Sequence, residues 1–151
     1  MSLFAAVLTI LAVLAVIYIP AAFRVRALRA LAARWGLRYM KKKLPEAFAI
    51  DRRKFLYHWM VDPKTVTHVI AGDCRGRQVV IFDSMAPGKG NMRCTVLAIQ
   101  TENNPFEAEA DPWKVVQSKG WFALWRTGFL QVPWTMSIGE IEDRLGQIWQ
   151  E

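Results

Sequence analysis

The sequence predicts an α+β fold carried on an N-terminal membrane helix. Three observations predict it: an uninterrupted apolar run at the start, a middle third with two-residue alternation broken by glycine-containing turns, and a capped amphipathic helix at the end. The chain has 151 residues, and after an anchor it leaves enough for one domain with a sizeable core. Hydrophobic residues make up 53% and charged residues 22%, which excludes a disordered tail, and seven Trp with eight Phe supply bulky core material.

The anchor comes first. Residues Leu3 to Ile19 carry polar side-chain atoms only at Thr9 and Tyr18. Continued through Pro20 to Phe23, the run is about 32 Å of helix, the thickness of a bilayer core. A buried helix of a soluble core would keep a polar stripe, and none is present. A cleaved signal peptide would need a positive flank before the apolar run, where only Met1 and Ser2 stand, and a translocatable segment after it, where arginines follow at once.

Charge sets the orientation. Residues 1–54 hold eleven Lys or Arg and two acids, a local net charge of +9, while residues 55–151 hold nine basic and eleven acidic residues, net −2. Arg24, Arg26, Arg29, Arg34, Arg38, Lys41, Lys42 and Lys43 follow the anchor with no acid before Glu46, and cationic flanks stay cytoplasmic. The expected topology is a single pass through a cell inner membrane, N-terminus outside, with a cytoplasmic domain. The same eight residues are candidates for contact with anionic lipid headgroups. Because the folded part is close to neutral and the membrane explains the basic stretch, a nucleic-acid partner is not expected.

The chain then divides into the anchor (1–23), a basic neck helix (24–43) and a small domain (44–151). In the neck, Val25, Leu28, Leu31, Ala32 and Trp35 form one apolar helical face, expected to pack on the domain, and Gly36 suits the residue after the helix end. Leu37–Met40 reads as a short strand, Lys41–Pro45 as a loop, and Phe55–Val61 as an aromatic strand ended by Asp62-Pro63. Thr65–Gly72 and Arg77–Asp83 flank Asp73-Cys74-Arg75-Gly76 as a hairpin. Pro87–Asn91 is a second loop leading to the strand Arg93–Thr101, which Asn103-Asn104-Pro105 breaks.

Residues 111–120 read either as a short helix (Asp111 cap, Pro112 first turn, Gly120 end) or as a strand and three-residue hairpin loop, with the hairpin preferred. Trp121–Arg126 is its partner strand, with Trp121, Ala123 and Trp125 on one face and Phe122 and Leu124 on the other, both faces covered. Pro133 and Trp134 lead into a helix capped by Ser137 and Glu140, with Ile138, Ile141, Leu145 and Ile148 as its buried stripe. Five to seven antiparallel strands in a meander, backed by helices, result. A pleckstrin-homology-like barrel closed by its last helix is a variant of the same element order.

The run from Leu31 to Tyr39, the strand end Val79-Val80-Ile81-Phe82-Asp83, the Gly88-Lys89-Gly90-Asn91 loop and the Thr95-Val96 pair together resemble an uncharacterised family of bacterial single-pass membrane proteins with a small cytoplasmic α+β domain. The resemblance covers roughly residues 25–100, with a weaker echo in Trp121–Arg126 and the last helix. It implies the anchor and the fold and transfers no functional site.

Catalytic and metal chemistry find little footing. His58, His68, Cys74 and Cys94 match no zinc spacing, and His68 on a strand reads as a satisfied core histidine. Pro87–Asn91 lacks the phosphate-loop pattern, Ser84 sits in no nucleophile elbow, and Cys94 has no base that the sequence can place. No cofactor, metal or catalytic residue is expected, and both cysteines should be free thiols. Trp113, Trp121, Trp125 and Trp134 lie in the tryptophan-rich last third and are either core or an exposed surface for a protein partner. The reading is a non-catalytic accessory or scaffold protein docking on an inner-membrane protein complex. The alternative is a tethered domain binding a small ligand or an anionic lipid headgroup.

Overall fold

The structure, a computed structural model, describes residues 3–48, 63–85, 93–106, 112–127 and 133–149. Helix α1 (Leu3–Arg34) runs unbroken through Pro20, so anchor and neck are one rod about 48 Å long. Most described side chains of its first part are exposed: Phe4 is 74% exposed and Phe23 66% exposed, with Val7, Ile10, Leu14 and Ile19 exposed between them. It is one helix long and apolar enough to cross a membrane. From Arg24 onward the same helix joins the domain, and Leu28, Leu31 and Ala32 are buried in the core. The neck is thus part of the domain.

Gly36 ends α1 in the left-handed region at φ 66°. Its N–H donates to Ala33 O at 3.4 Å and that of Leu37 to Ala32 O at 2.8 Å, the paired bonds of a Schellman cap. The chain then forms β1 (Arg38–Met40), a single 3₁₀ turn (Pro63–Thr65), β2 (Thr67–Cys74), β3 (Arg77–Met85), β4 (Arg93–Gln100), β5 (Trp113–Ser118), β6 (Trp121–Thr127), β7 (Pro133–Trp134) and α2 (Ile138–Ile148). The strands make one antiparallel sheet in the order β1-β2-β3-β4-β6-β5, and β7 pairs with β6 beyond the point where β4 leaves it. β1 and β5 stand at opposite ends of this order, so no closed barrel forms among the described residues.

Both faces of the sheet are buried. The register places Ile81, Leu97 and Leu124 on one face. The buried residues Leu28 and Leu31 of α1, and Ile141, Leu145 and Ile148 of α2, join the same core. Phe82, Val96, Ala123 and Trp125 lie on the other face. There the Phe48 ring meets Phe82 edge-on at 5.7 Å and Trp121 at 4.9 Å. Ser137 and Glu140 form the expected capping box on α2.

The ambiguous residues 113–118 are a strand, and the hairpin that follows turns on Lys119-Gly120 alone, with Ser118 opposite Trp121. The loop therefore has two residues, not three. Both lie at positive φ (51° and 78°), the pattern of a type I′ turn, which twists as the strands do. Arg75-Gly76 (φ 52° and 82°) turns β2 into β3 in the same way, so Asp73 and Cys74 belong to the strand and not to the loop. The expected strand Phe55–Val61, the loop Pro87–Asn91 and the cap Asp111 lie outside the described residues.

Candidate functional site at the Arg24 end of the sheet

Arg24 is the first charged residue after the apolar run, and the structure folds it inward. Its Nε donates to Asp83 Oδ2 at 3.3 Å and its Nη2 to Asp83 Oδ1 at 2.9 Å. Nη2 also donates to Thr95 Oγ1 at 2.9 Å, and Nη1 to the Met136 carbonyl at 2.6 Å. Thr95 in turn donates to Asp83 Oδ1 at 2.7 Å and accepts from Met136 N–H at 3.1 Å. One guanidinium therefore joins α1, β3, β4 and the entry to α2. Asp83 is 3% exposed and Arg24 17%, so the pair is shielded from water and salt.

The contact fixes which end of the sheet lies nearest the exposed apolar half of α1. β2 is level with Arg24 at Thr67, which pairs with Asp83. β1 ends at Met40 opposite Val69, and the next carbonyl, Lys41 O, accepts from His68 N–H at 3.0 Å. β4 begins at Arg93 opposite Met85. Lys41, Lys42 and Arg93 are exposed at this end, and Lys64 is exposed on the 3₁₀ turn that Thr65 ties to Met85.

His68 sits behind them at φ 55°, where the β2–β3 register shifts between Thr67 and Ile70. A histidine in the left-handed region is uncommon, and here it produces a bulge. The Tyr39 hydroxyl lies 2.9 Å from His68 Nδ1, the two rings stack at 6.4 Å, and the Arg29 guanidinium covers the Tyr39 ring at 5.1 Å. Burial lowers the His68 pKa from its usual value; Asp83 opposes the shift, while Arg93 and Arg24 add to it. Burial also raises the Tyr39 pKa, with Arg29 pulling the other way.

The eight basic candidates separate. Arg24 is bound by Asp83, Arg34 donates to Glu142 at 2.6 Å, Arg29 covers Tyr39, and Lys43 stands 4.0 Å from Glu46. Arg26, Arg38, Lys41 and Lys42 are exposed. The partner-surface reading of the tryptophans needs correction at two positions. Trp121 is 2% exposed and Trp125 is 0% exposed, because both faces of β6 are covered. Trp113 is half-buried beneath Arg144, whose guanidinium is 4.2 Å from the ring centre, and the Trp134 side chain lies outside the described residues.

Cys74 and Cys94 are free and buried at opposite ends of the sheet, Cys74 beside the Arg75-Gly76 turn and Cys94 opposite Ser84. The two cysteines therefore stand apart from each other, and His58 lies outside the described residues. Among the described residues no three His, Cys, Asp or Glu are grouped to hold a metal. Burial, reinforced by Asp83, pushes the Cys94 thiol up to about 12, which leaves it protonated and a poor nucleophile.

No family model, curated protein or solved structure matches this chain. Function therefore rests on geometry alone. Arg93, which sequence position gave no reason to single out, is the cation that the fold adds to the lysines after β1. Only the β3–β4 register could have found it.

Proposed function

We propose that this chain is a non-catalytic, single-pass accessory or scaffold protein of a bacterial inner membrane, with its N-terminus outside and its domain in the cytoplasm, docked on a membrane protein complex. The observation that carries the reading is the Arg24 network. A helix exposed along its apolar half passes directly into a domain that grips it through Asp83, Thr95 and Met136. A tethered enzyme with a soluble substrate would gain little from such a rigid junction. A docking module gains a fixed height and rotation, and confinement to the bilayer plane raises its effective concentration near membrane partners.

Native electrophoresis of gently solubilised membranes tests this. The chain is expected in a stoichiometric band with another membrane protein; migration only as a monomer refutes docking. A C-terminal reporter active only in the external compartment refutes the orientation.

A further inference from the structure

Segments remote in sequence end together where α1 leaves the lipid. Lys41 and Lys42 follow β1, and Arg93 opens β4, three strand spacings or about 14 Å away. Among the described residues, the acids near this end are engaged: Asp83 by Arg24 and Thr95, Glu140 by Arg126 and Ser137. The opposite end of the sheet is mixed in sign, with Asp73, Arg75, Glu102 and Lys119 all exposed.

Retention of the domain on one side of a membrane needs cations within about 15–20 residues of the span. Arg24, Arg26, Arg29, Arg34 and Arg38 meet that need. Arg93 lies far outside that window, and it reaches the lipid-facing end only because β4 pairs with β3 as it does. Insertion bias does not account for a cation placed there by folding.

The geometry points to this end of the sheet as a docking surface for an anionic bilayer leaflet, with Lys41, Lys42 and Arg93 meeting lipid phosphates. The inference rests on the membrane-anchored reading and names the partner of one face. The guanidinium can engage phosphate oxygens through two parallel N–H groups, while the lysines act as point charges on flexible stems. The anchor holds these groups at headgroup height, so the surface gathers anionic lipid around the helix.

Energy transfer in vesicles tests the idea with the full chain. Gly139 is exposed at the same end, on α2, and a Cβ there meets nothing within 4 Å, so Gly139→Cys offers a labelling site while Cys74 and Cys94 stay buried. The labelled protein is reconstituted in phosphatidylcholine vesicles doped with fluorescent phosphatidylglycerol or, separately, fluorescent phosphatidylcholine. Transfer should favour the anionic probe, with each cation weighting its local density by roughly fivefold. K41Q/K42Q and R93Q should each lower the preference several-fold, and Arg75→Asn with Lys119→Asn at the far end should leave it unchanged.

An unchanged preference in R93Q overturns the inference, because the sequence-local lysines would then suffice. Equal transfer to both probes overturns it as well. So does saturable displacement by inorganic phosphate at constant ionic strength, which would mark a phosphate pocket and not a surface. Failure of the chain to float with vesicles sinks the anchored reading and this inference together; flotation without lipid preference sinks this inference alone.

Discussion

Arg24→Ala is the most informative single change in this molecule. It removes two donors from Asp83, at 2.9 and 3.3 Å, one from Thr95 and one from the Met136 carbonyl. Among the described residues, the Asp83 carboxylate, 3% exposed, then keeps only the Thr95 hydroxyl at 2.7 Å. Stranding one member of a buried pair costs about 3–5 kcal/mol. For a domain of this size 1 kcal/mol moves the thermal midpoint by roughly 3–5 °C, so the expected fall is about 10–25 °C. Replacing both charges by apolar groups, Arg24→Met with Asp83→Leu, should recover most of that loss, since buried pairs contribute little net stability over a packed apolar substitute. The assay is thermal or urea unfolding of the full chain in detergent micelles, followed by the emission of the buried Trp121 and Trp125. A loss below about 1 kcal/mol in the single variant, the scale of a solvated surface pair, would refute the reasoning.

The buried thiols should be silent toward a disulfide reagent in the native state at neutral pH, with both cysteines reacting after denaturation; fast native labelling contradicts the burial. The Cys94 pKa is raised in the fold, so stability should be intact below about 9 and fall as the pH rises toward about 12, read from the midpoint across that window. The His68 pKa is lowered, which favours the neutral ring, so acidification below its usual 6.5 should cost stability; His68→Asn, which keeps a residue suited to positive φ, should flatten the slope of midpoint against pH between 7 and 5, and an unaltered slope tells against it. Ser137→Ala removes the half of the capping box in which the Ser137 hydroxyl accepts from Glu140 N–H and should cost about 1 kcal/mol in the same unfolding assay, with Ser137→Asp retaining most of it.

What could be read from the sequence was what local chemistry determines. The apolar run, the glycine after Arg34, the two hairpins and the Ser137–Glu140 box each depend on residues within a few positions of one another. The remainder depended on partners far along the chain. Arg24 reads as one more retention charge until β3 brings Asp83, 59 residues away, against it. The alternation in Trp121–Arg126 is the same for a strand buried on both faces and for one buried on a single face, so it could not decide between core and partner surface. The hairpin loop is one residue shorter than its sequence suggests because lysine at φ 51° is an unusual choice for the first position of a two-residue turn. The bulge at His68 left no trace in the pattern Thr65–Gly72, since a histidine at positive φ is written like any other histidine.

A buried ion pair at the junction makes sense as a device for registration. Sliding α1 by one residue against the sheet shifts it 1.5 Å and turns it by 100°. Contacts made by Leu28, Leu31 and Ala32 are non-directional, so nearby settings of the helix would differ little in apolar burial. The guanidinium of Arg24 can satisfy Asp83, Thr95 and the Met136 carbonyl together in only one setting. Because α1 continues as the apolar rod, choosing that setting also fixes how the domain is placed relative to that rod and so, on the proposed anchoring, the face and the height at which it would meet a bilayer. On the proposed membrane-anchored arrangement, the same four hydrogen bonds that hold the helix in place would also hold Lys41, Lys42 and Arg93 at the level of the headgroups, and loosening them should disperse these cations even where the domain stays folded.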